Sequence, residues 1–75
     1  MEQYRNIGGN SGVSAYEIGG DFIKVMFKDG SLYLYNYGST GQLNIETMKE
    51  LAIRGTGLNS FISTTVRKNY AAKLR

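Results

Sequence analysis

Eight side chains have the types and spacing to hold a single-stranded nucleic acid. Tyr33, Tyr35 and Tyr37 lie two apart in the stretch SLYLYNY, and residues two apart in a strand share a face. Lys24 and Lys28 come just before them, and Arg67, Lys68 and Lys73 lie near the C-terminus. Aromatic rings beside cations stack unpaired bases, at roughly 1–3 kcal/mol per base. The cations contact phosphate, which positions a strand without reading its sequence. A row of tyrosines equally suits a protein interface, so a protein partner or a second copy of the chain is the alternative occupant of the same face. Tyrosines are also good strand formers that cover cores with the hydroxyl at the rim.

Other chemistries have little to build on. The 75 residues contain no cysteine and no histidine. The commonest general base, the commonest metal ligand and the thiolate nucleophile are therefore missing. No spacing of Glu17, Asp21 and Asp29 marks a metal site or an acid–base pair. GGNSG and GSTG lack the Gly-Lys-Ser/Thr that a phosphate-binding loop needs. The expectation is a binding domain that is not an enzyme and holds neither cofactor nor metal. No apolar run approaches the roughly 18 residues that span a bilayer, and the polar, glycine-rich start does not resemble a signal peptide. These features point to the cytoplasm and away from a membrane.

Charge is divided unevenly along the chain. Residues 1–50 carry Glu2, Glu17, Asp21, Asp29, Glu46 and Glu50 against Arg5, Lys24, Lys28 and Lys49, whereas residues 51–75 carry Arg54, Arg67, Lys68, Lys73 and Arg75 with no acid. The net charge of +3 is thus concentrated in the last third, which suits an anionic partner. A solvated basic tail is the plainer reading.

The elements that must position these groups are short. Residues 1–12, with Gly8, Gly9, Asn10, Ser11 and Gly12, read as a flexible leader, and residues 13–75 as one domain. VSAYEIG, DFIKVMFK and SLYLYNY read as three strands, the last two joined at Asp29-Gly30. A two-residue turn there pairs Lys28 with Ser31, Phe27 with Leu32 and Met26 with Tyr33. That register collects Ile23, Val25, Phe27, Leu32 and Leu34 on one face as the core side. It places the tyrosines opposite, beside Lys24 and Lys28, open unless a helix crosses to cover them. Two helices follow. Asn44 reads as the N-cap of the first, with Leu43 and Met48 as a hydrophobic staple, Ile45, Met48, Leu51 and Ala52 as its apolar stripe, and Gly55 as its stop. Leu58, Phe61, Ile62, Thr65, Val66, Asn69 and Tyr70 give the second helix a period of 3.6. The expected fold is α+β, a three-stranded antiparallel sheet followed by two helices packed on one face.

Residues 13–70 resemble the KTSC domain, the small domain named for the C-terminal extension of some lysyl-tRNA synthetases and found alone in bacteria. The matching features are Phe27 ending a strand, the Asp29-Gly30 turn, Tyr33-Leu34-Tyr35, Gly57, Phe61-Ile62, and Val66 with Tyr70 four residues on. Two features depart from the family pattern: no proline follows the Tyr-x-Tyr, and Ser63 stands where the family often has asparagine. The resemblance implies a stand-alone bacterial or phage-encoded domain of this fold. RNA binding has been suggested for the family from its company with a tRNA synthetase.

Overall fold

The computed structural model describes residues 1–7, 9 and 11–75; Gly8 and Asn10, part of the expected leader, lie outside the described residues. The described residues form an α+β fold with an antiparallel sheet of five strands in sequence order: β1 (Glu2–Gln3), β2 (Val13–Ile18), β3 (Phe22–Phe27), β4 (Leu32–Asn36) and β5 (Ala72–Lys73). Between β4 and β5 lie α1 (Tyr37–Thr40), α2 (Gln42–Arg54), α3 (Leu58–Phe61) and a π-turn over Ile62–Val66. The two strands beyond the expected three are two-residue edges. Glu2–Gln3 pairs with Tyr16 and Ala15, so part of the expected leader belongs to the sheet, and Tyr4 is buried in the core. Ala72–Lys73 pairs with Leu34 and Tyr33, so the expected loose tail closes the other edge.

The hairpin register differs by one residue from the sequence expectation. The loop has three residues, Lys28, Asp29 and Gly30. The Gly30 N–H donates to the Phe27 carbonyl at 2.9 Å, and the Phe27 N–H donates to the Ser31 carbonyl at 2.9 Å. Gly30 has φ +89°. This is a type I turn followed by a left-handed glycine, the usual three-residue hairpin connection. Ile23 therefore faces Tyr35, Val25 faces Tyr33, and Met26 faces Leu32. A slip of one residue turns every β4 side chain to the other face. The tyrosines move to the core side, and Leu32 and Leu34 move to the outer face with Lys24 and Met26. Hydrophobicity does not oppose this, because β4 alternates leucine with tyrosine and either set can line a core. A side chain added at Gly30 would meet nothing within 4 Å, so only backbone strain opposes it. Gly30→Ala is expected to cost about 1 kcal/mol, read as a lower urea midpoint with an unchanged slope.

The helices cover one face of the sheet. Val13, Tyr16, Ile23, Val25 and Tyr35 pack with Ile45, Met48, Ala52, Leu58, Ile62 and Val66 in a single core cluster. α2 begins at Gln42 rather than after an Asn44 cap. Asn36 makes a capping box with Ser39 at the start of α1, Gly41 links the two helices, and the Asn44 amide donates back to the Thr40 carbonyl at 3.0 Å. Leu43 is 85% exposed, so no staple forms with Met48. Gly55 ends α2 in the left-handed conformation, with φ +78°. The segment expected as one long helix is a single turn of α3 followed by the π-turn, in which the Arg67 N–H donates to the Ile62 carbonyl at 2.7 Å. The wider turn changes the phase of the periodic pattern. Val66 stays buried, but Thr65 and Asn69 are exposed.

Candidate nucleic-acid interface

The chain leaves the π-turn through an unusual backbone conformation. Arg67 has φ +47° and ψ −115°, and the Asn69 N–H donates to the Val66 carbonyl at 2.9 Å. These values put Arg67 at the first central position of a type II′ turn, a place that favours glycine. An arginine there costs of order 1–3 kcal/mol of strain. The turn brings Tyr70 back over the sheet. Its ring centroid lies 4.8 Å from that of Tyr33 and 6.2 Å from that of Tyr35, and Tyr33 meets Phe27 edge-on at 5.7 Å.

Between the tip of the β3–β4 hairpin and the π-turn runs a groove of about 540 Å³. Phe27, Tyr33 and Tyr70 supply aromatic wall, and Tyr35 lines it from beneath. Lys28 stands on the hairpin rim, and Arg67 and Lys68 on the opposite one. Lys73 reaches from β5 to place its Nζ 5.8 Å from the Tyr33 ring centroid. All four cations are exposed, and none of them forms an ion pair among the described residues; the ion pairs are Lys24–Glu17, Lys49–Glu46 and Arg54–Glu50. Asp29 is the acid on the groove. Its carboxylate accepts from the Ser31 hydroxyl at 2.6 Å and the Ser31 N–H at 2.9 Å, which hold it below the usual carboxylate range.

Five of the eight residues singled out in the sequence thus line one groove, and Lys73 approaches it through Tyr33. Two do not join them. Lys24 lies on the outer face, 3.8 Å from Glu17. Tyr37 is the first residue of α1, where its hydroxyl donates to Glu46 at 2.7 Å and Lys49 lies over its ring. Tyr35 is present in a different role from the one expected. It is 2% exposed and part of the core, so it offers no open ring for stacking. Tyr70, Phe27 and Asn59 join the groove without having been singled out for it. The helical period hid Tyr70, because it continues the apolar stripe on paper while the turn at Arg67 redirects it.

Burial pushes the Tyr35 phenol up from its ordinary 10.0 to about 12, with the neighbouring Tyr33 and Tyr70 phenols adding to the effect. The folded protein therefore keeps a proton that the unfolded chain releases. This contribution to stability is intact below pH 10 and is lost as pH rises from 10 to about 12. The wild type should lose more urea resistance than Tyr35→Phe between about pH 9 and pH 11. Equal losses would mean that the phenol is not held neutral by its site.

Among the described residues, no group of His, Cys, Asp or Glu is placed to hold a metal ion, and no helix is long and apolar enough to cross a membrane. In comparisons with protein-family models, curated proteins and solved structures, nothing matches the chain.

Proposed function

We propose that this domain binds single-stranded nucleic acid, RNA in the first instance, across the groove between the β3–β4 hairpin and the π-turn. The observation that carries the reading is the joining in one place of aromatic wall and cations that form no ion pair among the described residues: Tyr33, Tyr70 and Phe27 beside Lys28, Arg67, Lys68 and Lys73. A ring beside a positive rim is what a base and its phosphate require. The strain at Arg67 adds weight. A glycine would relax that turn, so the arginine side chain earns its place through something it does outside the fold. The resemblance of residues 13–70 to the KTSC domain agrees with this reading. No cofactor and no catalytic residue is part of it.

The test is fluorescence anisotropy with short labelled single-stranded RNA over a salt series. Binding should weaken steeply with salt, since phosphate contacts release counterions. Absence of binding at low salt would remove the reading.

A second reading, contact with another protein or a second copy, draws on a different surface from the tyrosines first considered. Met26, Leu32 and Leu34 on the outer sheet face lie outside the core cluster and are only half-buried. A mass that rises with concentration and ignores salt would favour it.

A further inference from the structure

The core tyrosine beneath the groove carries a loose end. Tyr35 is 2% exposed and lines the groove, yet its hydroxyl has no hydrogen-bond partner among the described residues. No described side-chain oxygen is both buried and unpartnered, so this hydroxyl opens into the groove. A phenol hydroxyl that reaches a groove with its donor and acceptor both free can pair with a group bound there. The Asn59 amide lines the same space from α3. The groove is open to solvent but short. Its volume of about 540 Å³ is in the range of a site for one small ligand, and the whole domain measures only 31 × 24 × 22 Å. That size suits one nucleotide better than a run of stacked bases.

We propose that the groove takes up a single unpaired nucleotide, its base edge hydrogen-bonded by the Tyr35 hydroxyl and the Asn59 amide and its phosphate at Arg67 and Lys68. This rests on the nucleic-acid reading and deepens it: the cations give affinity, and the groove floor gives preference among bases. A site built to hydrogen-bond a particular edge rejects edges that leave its polar groups unpaired. Because the Tyr35 phenol stays neutral up to high pH, it both donates and accepts, as a base edge requires. Asp29, hydrogen-bonded to Ser31, stands on the hairpin side of the groove, so the phosphate is assigned to the opposite rim at Arg67 and Lys68.

The experiment compares wild type with Tyr35→Phe, which removes one oxygen and keeps the ring. The probes are A, C and U homopolymers of about eight nucleotides and the three free 5′-monophosphates. The wild type should prefer one homopolymer by roughly three- to tenfold, the worth of one neutral hydrogen bond. Tyr35→Phe should level that preference while melting no lower than the wild type. A wild type with no preference, or a variant that keeps it, overturns the proposal. Strands that bind with the expected salt dependence while Tyr35→Phe changes nothing would leave the strand reading intact and remove the nucleotide site. A monophosphate that binds in a Tyr35-dependent way while strands do not would keep the site, assign it to a free nucleotide, and remove the strand reading. Binding of neither removes both.

Discussion

Tyr35→Ala is expected to unfold a large share of the protein at physiological temperature. Tyr35 is among the largest fully buried side chains of the core, at 2% exposure, facing Ile23 across the sheet and packed in one cluster with Ile62 and Val66. Removing a buried aromatic ring costs about 3–5 kcal/mol, from lost transfer energy and the cavity left behind. A domain of this size has a total stability of only about 4–11 kcal/mol. The melting temperature should fall by roughly 15–30 °C. Tyr33→Ala should cost less, because Tyr33 is half-buried at the groove edge. The ordering of these two variants in thermal melts tests the hairpin register itself. With the tyrosines on the outer face, both variants would melt near the wild type.

The second large effect is on binding. Arg67→Ala combined with Lys68→Ala removes both cations of the π-turn rim, neither of which is in an ion pair among the described residues. Every cation taken off a phosphate lowers the dependence of log K on log salt by about 0.7 for a single strand. Taking off two should weaken RNA binding roughly ten- to hundredfold at about 50 mM salt. The fold should survive, and the release of strain at residue 67 has its own signature. Arg67→Gly suits the left-handed turn and should raise stability by about 1 kcal/mol, after the larger entropy of an unfolded glycine is subtracted. The same variant should bind RNA more weakly. Stability rising as binding falls marks a residue kept for its side chain. An Arg67→Gly protein that binds as the wild type does would place the phosphate elsewhere.

Much of the architecture was legible in the residues, and the exceptions have physical causes. The antiparallel order followed from β-rich runs separated by Asp-Gly and Gly-Gly. The core face of α2 followed from Ile45, Met48 and Ala52, and its end from Gly55. The face of the hairpin did not follow, because Asp29-Gly30 serves a two-residue or a three-residue loop equally well. The alternation of Leu32, Tyr33, Leu34 and Tyr35 leaves both registers with an apolar side. The edge strands carry no pattern of their own: Glu2–Gln3 and Ala72–Lys73 are two residues each and are held in place by strands already folded. The π-turn has no composition signal, and Arg67 occupies a position that propensity assigns to glycine. For the groove, residue type alone pointed to Lys28, Tyr33, Arg67 and Lys68. Tyr70 required the turn that the sequence pattern conceals, and Asn59 carried no signal of its own; the register shift parted Lys24 from the tyrosines, and the start of α1 took Tyr37 out of the strand.

The most direct measurement is an amide NMR titration of labelled protein with short single-stranded RNA, at low salt and again at about 0.3 M. Shifts are expected only around the groove, at Phe27 to Tyr35, near Asn59 and from Ser63 to Lys73. They should fade at the higher salt and leave the outer ends of β2 and α2 unmoved. Shifts spread over Glu17, Phe22 and Lys24 instead, or none at low salt, would overturn the groove as the binding site.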